Sequence, residues 1–177
     1  MTHLPPQEPR TAEFLRRLNR LDTGGRAQLK RKAGRALSEC SEVMGLFYSL
    51  LPAGVPERDQ ERYFVVATLW PWVSAGVSGN LGQSLRRLRT KGNAPGLDRR
   101  FEILLDADET QLVTRLSRCV RLIAATKASP IDWAVLLKDL LAWDHPERYV
   151  QRRWAQSYFG IEPVHTPKDS IPNSVNA

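Results

Sequence analysis

Sulfur, histidine and long apolar runs are all scarce in this chain, and each shortage excludes a class of function. Cys40 and Cys119 are the only cysteines; they could pair with each other, but two are too few for a disulfide framework. With no secretory signal near them they read as reduced core residues. The three histidines, His3, His145 and His165, stand at the ends or at a helix start, so no Cys/His set has the close spacing a metal site needs. The most apolar stretch, Tyr63 to Val77, is shorter than a membrane span and is broken by Pro71. Met1 to Arg10 is proline-rich and polar, without the apolar run of a signal peptide, and a cytoplasmic protein is expected. Strand signals are also missing: β-branched residues are scattered, and no alternating run is bounded by hairpin turns.

Catalytic motifs are equally thin. Asp22-Thr23-Gly24-Gly25 has the glycines of a phosphate cradle but not the Lys-Ser/Thr pair. Cys119 lies between Arg118 and Arg121, yet its helical phase sets it beside Leu116 and Val120, which favours a structural role over a reactive thiol. Asp106, Asp108 and Glu109 form the best acidic cluster, of the kind that binds Mg²⁺ in nucleases. Asp108 reads more simply as a helix cap, and Glu109 as a charge favoured by the helix dipole. No second cluster completes a two-metal site. The expectation is therefore a protein without catalytic residues, metal or cofactor.

What is present is helix signal and positive charge. Phe14, Leu15, Leu18 and Leu21 make one apolar stripe, with Arg16, Arg17 and Arg20 off it. After a break at Asp22 to Gly25, a short helix is expected from Arg26 to about Gly34. An apolar block over Val43 to Leu51 stops at Pro52, and Pro56 suits the first turn of a helix through Tyr63, Val66 and Trp70. Pro71 should end or kink that helix. Leu81, Leu85 and Leu88 form a short stripe before Lys91-Gly92-Asn93-Ala94-Pro95-Gly96, the best candidate boundary. Further on, Asp108 with Gln111 opens a helix through Leu112 to Ile123. Ser129-Pro130 is expected to open the next, through Trp133 and Leu140, and Asp144-His145-Pro146 the last, which Gly160 stops. The fold expected is all-α: two small helical bundles, 1–91 and 97–160, joined by a short basic linker and followed by a disordered tail, 161–177.

Basic residues number 26 against 19 acidic ones, for a net charge of +7, and only six of the 26 are lysine. Arginine's planar fork suits phosphate oxygens, and a pI near 9.8 is a footprint of nucleic-acid binding. The charge is also concentrated. Arg10 to Arg35 holds nine bases against two acids, with Arg26 and Lys30, and Arg31 and Arg35, each four apart on a shared face. A second cluster, Arg86, Arg87, Arg89, Lys91, Arg99 and Arg100, straddles the linker. A third, Arg115, Arg118 and Arg121, steps by three along one helix. Three such clusters point to a track for nucleic-acid backbone read by shape and charge, since no helix displays base-reading side chains. The tryptophans at 70, 72, 133, 143 and 154 lie in apolar stretches and read mostly as core, though such rings can also stack on bases.

Four features in order resemble the small subunit (CasB family) of the type I-E CRISPR Cascade surveillance complex. They are the turn and basic helix Leu21 to Arg31, the apolar helix ending near Ser74-Ala75-Gly76, Leu81-Gly82-Gln83-Ser84-Leu85, and Arg99 to Asp108 followed by Ile131-Asp132-Trp133 and Leu140 to Trp143. Gln83 stands where the family leads one to expect a base. The resemblance implies an all-α, non-catalytic subunit of a ribonucleoprotein complex in antiviral defence. Its implied partners are single-stranded and R-loop DNA, the guide-RNA complex, the Cascade backbone and large subunits, and a second copy of itself. It would hold the target or displaced strand and so stabilise the R-loop. Arg26, Lys30, Arg31, Arg86, Arg87, Arg99 and Arg100 are assigned to nucleic-acid contact on this basis, with Arg115, Arg118 and Arg121 beside them. The competing readings are a free-standing nucleic-acid-binding regulator and a metal-dependent nuclease built on Asp106, Asp108 and Glu109.

Overall fold

The computed structural model describes residues 9–77, 79–127 and 129–160; the tail expected at 161–177 lies outside them. Regular structure among these residues is helical, the one exception to helix and turn being an isolated parallel bridge between Ala75 and Ile131. The α-helices are α1 (Arg10–Asn19), α2 (Thr23–Lys30), α3 (Met44–Leu50), α4 (Glu57–Leu69), α5 (Leu81–Arg86), α6 (Ala94–Leu105), α7 (Glu109–Thr126), α8 (Trp133–Leu141) and α9 (Tyr149–Phe159). The all-α expectation holds.

Helix α4 is the centre of the molecule. Its residues from Arg62 to Leu69 are all buried, as expected of a helix surrounded by others rather than lying on a surface. It packs against α2, α7 and α8, while α1 lies across α3 and α8. Phe14 of α1 meets Tyr63 of α4 edge-on with ring centroids 4.9 Å apart, and Phe47 of α3 meets Phe64 at 5.3 Å. Helices α5 and α9 form the tightest pair. A Cβ on Gly82 would lie 2.3 Å from the Trp154 carbonyl oxygen, so only glycine permits this approach.

The expected division at 92–96 does not divide the packing. Helix α6 already begins at Ala94, with Pro95 in its first turn. Helix α5, from the first segment, packs on α9 of the second, and α1 and α4 pack on α8. Buried apolar side chains from Phe14 to Tyr158 belong to one cluster.

Several helix starts differ from expectation, each for a visible reason. The Asp22 carboxylate accepts from Gly25 N at 2.7 Å, so Thr23, Gly24 and Gly25 are the first turn of α2 rather than a break. Helix α2 then ends at Lys30, and a left-handed turn at Gly34 (φ +88°) follows, so Arg31 and Arg35 do not share a helical face. Ser129 does not cap α8, because Ile131 is held extended: its N donates to Ser74 O, and its O accepts from Gly76 N, both at 3.1 Å. Asp132 caps instead, accepting from Val135 N at 3.1 Å. Asp144 does not cap α9, because its carboxylate faces Arg62; Arg148, in a left-handed conformation (φ 49°), precedes that helix. The cap at Asp108 and the stop at Gly160 fall where expected.

Candidate nucleic-acid interface

One face gathers cations from both halves of the chain. Pro71 ends α4 at Leu69, and Trp70-Pro71-Trp72 continues as a single 3₁₀ turn. Helix α2 lies against this turn with Arg26 and Lys30 one helical turn apart. The Arg26 guanidinium carbon sits 4.7 Å from the Trp70 ring centroid, and the Lys30 ammonium 4.7 Å from that of Trp72. Arg121 of α7 reaches the same Trp72 ring at 4.9 Å. These are cation–π distances.

Carbonyl oxygens hold two of the three cations in place. Arg26 donates from Nε to Leu21 O and from Nη2 to Asn19 O, both at 2.9 Å, and Arg121 donates from Nη2 to Ala33 O at 3.0 Å. Beside them is a groove of about 520 Å³ walled by Asn19, Thr23, Arg26, Lys30, Trp70 and Trp72, with no carboxylate in its lining. Nothing acidic in the groove offsets the charge. Arg31 is exposed next to Lys30.

The other expected contacts are placed differently. Arg86, the last residue of α5, donates to the Gly160 carbonyl, and Arg87 just after it donates to Ser129 Oγ at 3.1 Å. Arg89 forms a two-pronged pair with Asp98 (2.8 and 2.9 Å), and Tyr158 OH donates to the same carboxylate at 2.7 Å. Those two donors hold the Asp98 carboxyl down at about 2. Within the second cluster, therefore, Arg89 is locally neutralised, whereas Arg99 and Arg100 project from α6 into solvent. Arg115 turns one Nη to Ile103 O at 2.6 Å, and Arg118 is exposed. Of the ten assigned residues, the structure joins Arg26, Lys30 and Arg121 at one place.

Two residues that sequence reasoning left in the core, Trp70 and Trp72, are half-buried walls of this groove; Trp133, Trp143 and Trp154 are buried as expected. Gln83, where a base was expected, makes a capping box with Asn80: its Oε1 accepts from Asn80 N at 3.0 Å, and Asn80 Oδ1 accepts from Gln83 N at 3.2 Å. The Asn-x-x-Gln spacing was a legible signal for that cap.

The remaining candidates have structural work to do. Cys40 and Cys119 are free and buried. Burial pushes the Cys119 thiol up to about 12, far from the thiolate a nucleophile needs. Asp108 Oδ1 accepts from Thr110 Oγ1 at 2.7 Å and Gln111 N at 3.0 Å, which lowers its carboxyl below the usual range. Among the described residues, no group of three or more His, Cys, Asp or Glu is arranged to hold a metal ion.

Among the described residues the fold is all-helical, with Arg26, Lys30 and Arg121 gathered about the Trp70-Pro71-Trp72 turn. The sequence model of the family described as CRISPR-associated protein Cse2 matches residues 25–159, and the chain belongs to that family. A CRISPR-associated protein Cse2 of Thermus thermophilus is 36% identical over 107 residues, a match covering 59% of each protein. The crystal structure of CasB from Thermus thermophilus shares 30% identity with a TM-score of 0.73, over 85% of this chain and 98% of that one. M. ruber CasB gives 28% and 0.72, over 86% and 94%. A chain solved in a CRISPR RNA-guided surveillance complex is 26% identical with a TM-score of 0.69, over 85% and 91%.

Proposed function

We propose that the chain is a non-catalytic, nucleic-acid-binding small subunit of a type I-E CRISPR Cascade complex. It holds the target or displaced DNA strand through its phosphates and stabilises the R-loop in antiviral defence. The observation that carries this reading is the gathering of Arg26, Lys30 and Arg121 about the Trp70 and Trp72 rings, with Arg26 and Lys30 lining a groove that has no carboxylate in its lining. Family membership and the likeness to a chain of an RNA-guided surveillance complex support it. Arg31, Arg86, Arg87, Arg99, Arg100, Arg115 and Arg118 extend the contact surface.

The energetic logic is one of small margins. A guide–target heteroduplex is about as stable as the DNA duplex it replaces, so a few backbone contacts shift the balance toward the open state. Such contacts are salt-sensitive and indifferent to sequence. The partners follow: the guide-RNA complex, the Cascade backbone and large subunits, and a second copy of the chain. No described helix is long and apolar enough to cross a membrane, and the proposed site of action is the cytoplasm.

Charge reversal at Lys30 and Arg31 tests this reading. Lys30→Glu with Arg31→Glu should weaken binding of a single-stranded oligonucleotide by at least tenfold at low salt, with far-UV circular dichroism unchanged. Unchanged binding by an intact fold would remove α2 from the site.

A further inference from the structure

The 3₁₀ turn at the groove is unusual in what it holds together. Lys30 and Arg121 lie within 5 Å of one ring centroid. They are therefore closer to each other than a Debye length, about 10 Å at 0.1 M salt. Like charges this close repel, and on an ordinary surface two long side chains would swing apart into solvent. Here the electron-rich indole faces attract them, and backbone carbonyls tether Arg26 and Arg121 without neutralising their charge. Lys30 has no carboxylate partner among the described residues, although Lys32, two residues on, pairs with Glu42. Trp72 Nε1 is a further donor without an acceptor among the described residues. The cations are thus fixed before any anion arrives.

We propose that Trp70 and Trp72 are positioning residues. They pre-organise Arg26, Lys30 and Arg121 into one cluster that clamps neighbouring phosphates of a single strand, and the bases do not stack on these rings. This rests on the backbone-binding reading and adds to it how the site is built and which part of the strand it reads. The indole faces are engaged by the protein's own cations, which leaves base stacking, the other use of exposed tryptophan in strand binding, without a platform here. The groove, about 520 Å³, has the volume of a small-ligand site, so it accommodates a sugar–phosphate unit as well as its charge.

The test uses the full chain and fluorescein-labelled oligothymidine, alongside an oligonucleotide of the same length in which the bases are replaced by abasic sites. Trp72→Leu should fold normally and bind about three- to fivefold more weakly. Its salt slope should be shallower by about 0.7 for each phosphate it no longer neutralises. Trp72→Phe, which keeps an aromatic face, should restore most of the affinity, and wild-type protein should bind the abasic strand as well as oligothymidine. Lys30→Ala and Arg121→Ala should combine to less than the product of their separate effects, because they act in one cluster.

Normal affinity in a folded Trp72→Leu, multiplicative effects of Lys30→Ala and Arg121→Ala, or marked weakening on the abasic strand would each overturn the inference while leaving backbone binding intact. If Trp72→Leu does not fold, the two-alanine cycle decides. Wild-type protein that binds neither strand at low salt would instead remove the backbone-binding reading, and this inference with it.

Discussion

Arg62 Nη2 donates to Asp144 Oδ2 at 2.6 Å, tying the central helix α4 to the turn before α9. Arg62 is almost wholly buried, its Nη1 has no acceptor among the described residues, and Glu109 stands 3.8 Å from Nη2. The Asp144 side chain is itself well exposed, so water can replace part of what it supplies. Asp144→Ala should therefore cost about 1–3 kcal/mol, the range for leaving a buried donor unsatisfied. Urea unfolding should show this as a lower midpoint with an unchanged slope.

The Arg89–Asp98–Tyr158 link should make stability acid-sensitive in a defined window. The Asp98 carboxyl sits at about 2 in the folded chain because Arg89 and Tyr158 hydrogen-bond its ionised form, against an ordinary value of 3.8. A lowered folded-state value means that the contribution is fully present above the unfolded value and is lost as pH falls toward 2. The melting temperature should fall between pH 4 and pH 2, and Asp98→Asn should both lower it at pH 7 and flatten that part of the curve. An identical acid limb in the variant would show that other carboxylates control it.

Much of the fold was legible because helices announce themselves locally. Apolar spacing marks α1, α4 and α7, and the Asp108 and Gly160 boundaries are set by residues beside them. The starts of α8 and α9 were not legible, since tertiary contacts decide them: Ile131 is drawn into a bridge with Ala75, and Asp144 is drawn to Arg62. The site divides in the same way. Arg26 and Lys30 could be paired from their spacing, but nothing local links either of them to Arg121, or shows that Trp70 and Trp72 lie beneath all three. That arrangement depends on α2 and α7 both packing against the turn that Pro71 creates. In the second cluster the sequence does not show which base its one acid, Asp98, offsets; the fold pairs it with Arg89 and leaves Arg99 and Arg100 exposed.

Gly82 should tolerate no side chain. A methyl group there meets the Trp154 carbonyl at 2.3 Å, at the crossing of α5 and α9. Gly82→Ala should destabilise the chain by about 1–3 kcal/mol, as overpacking at a rigid contact does. A calorimetric melt that matches wild type would show that α5 shifts away freely.

Cys119 should be inert in the folded state. Its thiol is buried and held at about 12. Reaction with an aromatic disulfide reagent at pH 8 should be slow in native protein and rapid once urea is added. Fast labelling of Cys119 in native protein, with Cys40 replaced by alanine, would mean that α7 opens locally.

The central claim is that this chain grips phosphate backbone without reading bases, and the salt dependence of strand binding tests it most directly. Fluorescence anisotropy of the full chain with single-stranded DNA of two unrelated sequences should give parallel lines of log affinity against log salt. Each slope should be steep, falling by about 0.7 for every phosphate neutralised, and the strand should be intact afterwards. A flat slope, or affinities that differ by orders of magnitude between the two sequences, would contradict the account.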